Sequence, residues 1–136
     1  MNQDILFDER EGEFGKLGVV TLNRSKALNA LTFSMLERLL EKMIGWQSDP
    51  VVKAVVIKSS SARAFCAGGD IRNIYQERVD VSTQPHPFFH LEYRFNQFLY
   101  HFKKPTVRHH KHFLQPLEPV DSGSGPVKKL FKKKKK

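Results

Sequence analysis

Two short apolar-rich runs, Ile5-Leu6-Phe7-Asp8-Glu9-Arg10 and Leu17-Gly18-Val19-Val20-Thr21-Leu22-Asn23-Arg24, flank a glycine-containing turn around 12–15, and together they predict a β-hairpin. Phe33, Leu36, Leu39, Leu40, Met43 and Ile44 then recur at intervals of three and four, which predicts an amphipathic helix over 32–46. Ser34 with Glu37 three residues later fits a capping box, and Thr32 is the alternative cap. Asp49-Pro50 closes this segment. The run at 51–59 is short, β-branched and apolar on both faces, as expected of a central parallel strand covered on each side. A short helix is expected over 70–77 and a polar loop with two prolines over 79–87. In a further helix over 88–102, Phe88, Leu91, Phe95, Phe98, Leu99 and Phe102 share one stripe. Lys103-Lys104-Pro105 ends it, and Thr106-Val107 opens a new strand. Strand, helix, strand, glycine turn, helix is an α/β order with crossover connections.

From Arg108 onward the periodicity stops. The remainder holds His109-His110-Lys111-His112, three prolines, Ser122-Gly123-Ser124-Gly125 and a closing run of lysines at 132–136, a composition that predicts disorder. Two units follow from this: a body over 1–107 and a Lys-rich tail over 108–136. The division changes the meaning of the net charge of +9. Residues 1–104 carry 14 basic and 12 acidic side chains, whereas 105–136 carry 9 and 2, so the basic character belongs to the tail. Five consecutive lysines attract polyanions in a salt-sensitive, sequence-blind way, but no aromatic stacking pattern accompanies them, so no specific nucleic-acid partner is expected. The chain of 136 residues is long enough for one domain with a core. It contains no internal repeat, no apolar run of membrane-spanning length and no basic-then-apolar start. No membrane partner is therefore expected. The single cysteine allows no intrachain disulfide, and a reducing, cytoplasmic setting is the expectation.

Chemistry concentrates where the strand at 51–59 gives way to Arg63-Ala64-Phe65-Cys66-Ala67-Gly68-Gly69-Asp70-Ile71. A buried strand, a turn of small residues and a helix starting at an acidic cap leave backbone N–H groups facing open space. Such a place suits a carbonyl oxygen that gains negative charge during a reaction. Ala67, Gly68 and Gly69 are too small to obstruct an incoming group, and the turn reads as half of an oxyanion hole. An ordinary tight turn capped by Asp70 is the plainer alternative. Cys66, between Phe65 and Ala67 and with no histidine at a meaningful spacing, reads as a small buried thiol rather than a nucleophile. His86 and His90 bound or face out of the last helix. His109, His110 and His112 lack a second ligand cluster, so no metal site is expected.

Three motifs in order carry a family resemblance: Val20-Thr21-Leu22-Asn23-Arg24, Lys26-Ala27-Leu28-Asn29-Ala30-Leu31 and Ala64-Phe65-Cys66-Ala67-Gly68-Gly69-Asp70-Ile71. They resemble the crotonase superfamily, the enoyl-CoA hydratase and isomerase fold. Cys66, Phe88-Phe89, Glu92-Tyr93, Asn96 and Lys104-Pro105 are most similar to its 3-hydroxyisobutyryl-CoA hydrolase branch. The resemblance covers roughly residues 5–107, about the N-terminal third of the family's length. It implies a crotonase-like fold of ββα repeats, present here in its N-terminal part only. That part is expected to be an incomplete α/β layer whose central strand lacks neighbours and whose phenylalanine stripe is exposed. The homopolymeric ending motivates the expectation that the tail is the product of a truncation or frame change.

By resemblance, Lys26, Ala27, Leu28 and Ala30 line the groove for the coenzyme A nucleotide and pantetheine arm. Ala64, Ala67, Gly68, Asp70 and Ile71 frame the thioester, Gly69 supplies one N–H to its oxygen, and Glu92 is a carboxylate near the acyl group. On residues alone, Lys26 is a solvated loop lysine, Ala30-Leu31 enter a helix, and Glu92 lies on a helix surface. The family takes the second N–H donor and its further carboxylates from later in its length. The implied activity is hydrolysis of a 3-hydroxyacyl-CoA thioester in valine breakdown, weak or absent in this chain. Enoyl-CoA hydration or isomerisation is the alternative. A non-catalytic fragment whose tail binds polyanions is the alternative of another class. No cofactor is implied beyond the coenzyme A of the substrate, and the family assembles as homo-oligomers.

Overall fold

The computed structural model describes residues 3–61, 63–66, 68–70 and 87–110, together with the backbone of 113–116. Five strands form one sheet: β1 (Ile5–Gly12), β2 (Gly15–Leu22), β3 (Val52–Ser59), β4 (Thr106–His110) and β5 (Phe113–Pro116). Two helices, α1 (Phe33–Ser48) and α2 (Pro87–His101), connect or precede them. The sheet order is β1-β2-β3-β4-β5. The outer pairs β1/β2 and β4/β5 are antiparallel, and the inner pairs β2/β3 and β3/β4 are parallel. Parallel neighbours require crossovers, and α1 supplies the one between β2 and β3. The expected helix at 70–77 and nearly all of the loop at 79–87 lie outside the described residues.

Register decides which side chains meet. Val20 pairs with Ile57 and Val55 with Thr106, so alternate residues share a face. Val20 and Leu22 of β2 and Val55 and Ile57 of β3 enter one core with Met35, Leu36, Leu39, Met43 and Trp46 of α1 and Phe88, Leu91, Phe95 and Leu99 of α2. Val56 stands on the opposite face and is half-buried. Among the described residues both helices pack on the core face, and on the other Val19, paired with Val56, is also buried. The central strand does not lack neighbours, since β2 and β4 flank it. The phenylalanine stripe is not exposed. Phe88 and Phe95 are fully buried, Phe98 and Phe102 pack against the core, and it is Phe89, off the stripe, that faces out.

Local chemistry sets the helix ends. Thr32 rather than Ser34 caps α1, its Oγ1 accepting from the Met35 N–H at 3.1 Å. At the other end Lys104 Nζ donates to the carbonyls of Trp46 and Asp49, placing a cation at the negative pole of the helix. Gly18 is required by close approach: a Cβ there would lie 2.8 Å from the Trp46 ring. The Trp46 Nε1–H reaches across to Glu9 Oε1 at 2.9 Å, and Phe7 meets the indole edge to face.

The boundary at 107 is also corrected. The strand that opens at Thr106 runs through Arg108 and His109 to His110, and Phe113–Pro116 pairs beside it. The rest of the expected disordered tail lies outside the described residues.

Candidate active site

The three motifs meet at the C-terminal ends of β2 and β3. After β2 the chain makes a 3-10 turn at Ser25–Ala27, then places Leu28 (φ 52) and Asn29 (φ 57) in the left-handed region. That conformation costs an L-residue roughly 1–2 kcal/mol, less for asparagine, whose side chain bonds locally. Buried hydrogen bonds of Asn29 offset it. Fully buried, Asn29 accepts at Oδ1 from the Arg24 N–H at 2.6 Å. Its Nδ2 donates to Ser59 Oγ at 2.7 Å and to the Phe65 carbonyl at 3.2 Å.

Ser59, the last residue of β3, organises the loop that follows. Its Oγ accepts from the Ser61 N–H and donates to the Ala64 carbonyl, both at 2.9 Å. From the far side His110 of β4 lies 3.1 Å by Nε2 from the Ser61 carbonyl, and the Arg108 guanidinium sits 5.1 Å from the centre of the Phe65 ring. Burial lowers the Arg108 pKa from its ordinary value. The residues read from sequence as the first of a disordered tail therefore form one wall of this region.

Beyond Cys66 the chain runs beside Leu31. The Leu31 N–H donates to the Gly68 carbonyl at 2.7 Å, and the Asp70 N–H donates to the Leu31 carbonyl at 2.8 Å. This is a parallel bridge between Leu31 and Gly69, not the entry of Leu31 into a helix. In such a bridge the residue between the two bonded neighbours turns its own N–H the other way. The Gly69 N–H accordingly has no hydrogen-bond partner among the described residues. Gly68 has φ 103, a conformation that favours glycine. Arg24 ties the two segments again, its Nη1 donating to Asp70 Oδ2 at 2.5 Å and to the Ala30 carbonyl at 3.1 Å. The Asp70 carboxylate is thus paired with a guanidinium, and the helix it was expected to cap lies outside the described residues.

The other candidates are distributed around this crossing. Lys26 is exposed, while Ala27, Leu28, Ala30, Ala64 and Gly68 are half-buried. Ala67 and Ile71 lie outside the described residues. Glu92 is half-buried on α2, one turn before the half-buried Asn96. Cys66 is buried and its Sγ donates to the Asn29 carbonyl at 2.8 Å. Burial pushes its thiol up to about 12, against the smaller opposing effect of a backbone hydrogen bond from Gly68. It is held protonated and is no nucleophile at neutral pH. His90 is exposed, and His86 and His112 lie outside the described residues. Among the described residues no group of three or more His, Cys, Asp or Glu could hold a metal ion. No helix among them is long and apolar enough to cross a membrane.

Sequence reasoning missed Arg24, Asn29 and Ser59 as the residues that join the segments. The available signals were an asparagine immediately before Ala30-Leu31 and a serine ending an apolar strand, both common in local turns and hence weak.

Comparison with known proteins gives this arrangement a context. A model of the enoyl-CoA hydratase/isomerase family matches residues 17–110. The protein named 3-hydroxyisobutyryl-CoA hydrolase, mitochondrial, of Danio rerio is 39% identical over 104 residues, covering 76% of this chain and 26% of that protein. The protein of the same name from Gallus gallus is 36% identical over 104 residues, with the same coverage. Among solved structures, an enoyl-CoA hydratase from Rhodobacter sphaeroides is 38% identical and superimposes with a TM-score of 0.63, covering 77% of this chain and 30% of that one. The crotonase-like α/β class expected from the motifs is therefore the observed one. The chain spans about a quarter of the length of the curated relatives it matches.

Proposed function

The chain belongs to the enoyl-CoA hydratase/isomerase family, and we propose that it binds a coenzyme A thioester with the carbonyl oxygen on the Gly69 N–H, as a 3-hydroxyisobutyryl-CoA hydrolase would. The observation that carries this reading is the Leu31–Gly69 bridge, which engages both neighbours of Gly69 and leaves its own N–H without a partner among the described residues. When a nucleophile adds to a thioester, negative charge builds on the carbonyl oxygen. A donor already held in place stabilises that charge without reorganising. The exposed Lys26 offers a cation for a coenzyme A phosphate, and the small residues Ala27, Ala30, Ala64 and Gly68 leave room for the pantetheine arm. Leu28 and Asp70 complete the lining. Glu92 is the carboxylate for the acyl side, where hydrolysis needs a base to activate water.

One oxyanion donor is worth about 10²–10³ in rate, and the resemblance takes the second from a glycine loop later in the family's length. Coenzyme A arrives with the substrate, so no separate cofactor enters. The relatives' names carry the word mitochondrial, and cell fractionation decides between that setting and the cytoplasm.

A nuclear magnetic resonance titration tests the reading. The Gly69 amide resonance shifts with 3-hydroxyisobutyryl-CoA and stays put with free coenzyme A. Equal responses to the two would overturn the assignment of the carbonyl to Gly69. Enoyl-CoA hydration is the second reading, favoured by the Rhodobacter sphaeroides structure. Both reactions start from the same polarised carbonyl, and product identification on 3-hydroxyacyl- and enoyl-CoA separates them.

A further inference from the structure

We infer that Asn29 is a positioning residue that sets the spacing between the coenzyme A residues Lys26, Ala27, Leu28 and Ala30 and the thioester residues Ala64, Gly68 and Gly69. The inference rests on the binding mode proposed above and concerns a residue that touches neither half of the ligand.

Three elements converge on one carboxamide. Its oxygen holds the Arg24 N–H at 2.6 Å, two residues before the first coenzyme A residue, Lys26. Its nitrogen holds Ser59 Oγ at 2.7 Å, at the end of β3, and the Phe65 carbonyl at 3.2 Å, in the turn. The same residue's backbone adds two further ties, donating to the Arg24 carbonyl at 2.9 Å and accepting from Cys66 Sγ at 2.8 Å. Only an amide side chain offers an acceptor and two donors at once. Aspartate matches its shape but cannot donate, and glutamine adds a methylene where Asn29 has 0% exposure. The left-handed backbone at φ 57 aims the short side chain back across the crossing.

A ligand that engages both segments reads their separation, and misplacement of a reacting group by about 1 Å costs of the order of a hundredfold. A ligand that engages only the coenzyme A segment does not read it. Loss of the Asn29 carboxamide therefore lowers the preference for a carbonyl-bearing ligand over free coenzyme A. It leaves affinity for coenzyme A itself nearly unchanged.

The test uses the full chain with two probes: coenzyme A, and acetyl-carba(dethia)-coenzyme A, a ketone in which a methylene replaces the sulfur, so that the carbonyl keeps its place and cannot be hydrolysed. Asn29→Gly retains the left-handed backbone without strain, and Asn29→Asp retains the shape. Both variants should lose at least tenfold in the ratio of the two affinities, with coenzyme A affinity within threefold of the parent. Equal losses for both probes, or an unchanged ratio, would reduce Asn29 to a general structural role and overturn the inference. Should both variants lack a cooperative melt, the parent chain decides. Its Asn29 side-chain amide resonances move with the ketone and not with coenzyme A if the inference holds. If they ignore both probes while Gly69 responds to the ketone, the inference fails alone. If the parent shows no preference and the Gly69 amide stays still, the binding mode fails and takes the inference with it.

Discussion

The two ends of β3 are held by different physics. Near its start, Val52 is fully buried in a core shared with Trp46 and Met43, and Gly18 lies flush against the indole ring. Shape and apolar area dominate there, with polar contacts confined to the rim: Trp46 to Glu9, and Lys104 to the end of α1. At the other end Ser59, Asn29, Arg24 and Asp70 form a hydrogen-bonded crossing in which left-handed residues are kept in place by side-chain partners. Apolar packing is non-directional and tolerates small adjustments, whereas a crossing of this kind fixes backbone groups at defined distances. The chain thus keeps its stability at one end of the strand and its candidate chemistry at the other. The Gly69 N–H stands without a partner among the described residues only because everything around it is tied down.

The comparison can be broken first at the packed side. Phe95→Ala removes a fully buried ring and is expected to cost about 3–5 kcal/mol in urea unfolding. If the division holds, that loss appears without any change in how the folded fraction discriminates 3-hydroxyisobutyryl-CoA from coenzyme A. A changed discrimination would mean that the two ends are not separate. Gly18→Ala forces a Cβ to within 2.8 Å of the Trp46 ring and is expected to cost about 1–3 kcal/mol, seen as a lower unfolding midpoint. No loss at all would show that the sheet and α1 can part freely.

A smaller effect sharpens the other end. The folded state holds the Cys66 thiol protonated up to about pH 12 against an ordinary value of 9.0. Above 9 the unfolded chain releases this proton and the folded chain does not, so stability falls as pH rises through that window. The slope is at most about 1.4 kcal/mol per pH unit. Thermal melts at pH 8 and pH 10 should therefore diverge more for the parent than for Cys66→Ala. An equal divergence would mean that the thiol is reached by water and the crossing is looser than its hydrogen bonds indicate.

Much of the architecture could be read before any coordinates. The periods of Phe33 to Ile44 and of Phe88 to Phe102 identify both helices, because burying one face of a helix needs only local spacing. The run of Val55, Val56 and Ile57 identifies the inner strand for the same reason. The ends were less legible: Thr32 and Ser34 are both competent caps, and only the direction of the chain leaving Leu31 selects the first. The wrong expectations all concerned partners distant in sequence. Arg108 and His110 show no strand pattern of their own, yet they extend β4 because β3 offers a parallel edge and Phe65 and Ser61 receive their side chains.

The order of residues alone determined the class of fold and the family motifs, since these depend on spacing, small side chains and short-range backbone geometry. Tertiary structure decided that the Gly69 amide lacks a partner among the described residues, which threonine or serine caps, and how Asn29 joins segments lying 30 and 36 residues away. A hydrogen bond across such a gap leaves no periodic trace in the chain, because its distance and direction exist only after the strands have paired.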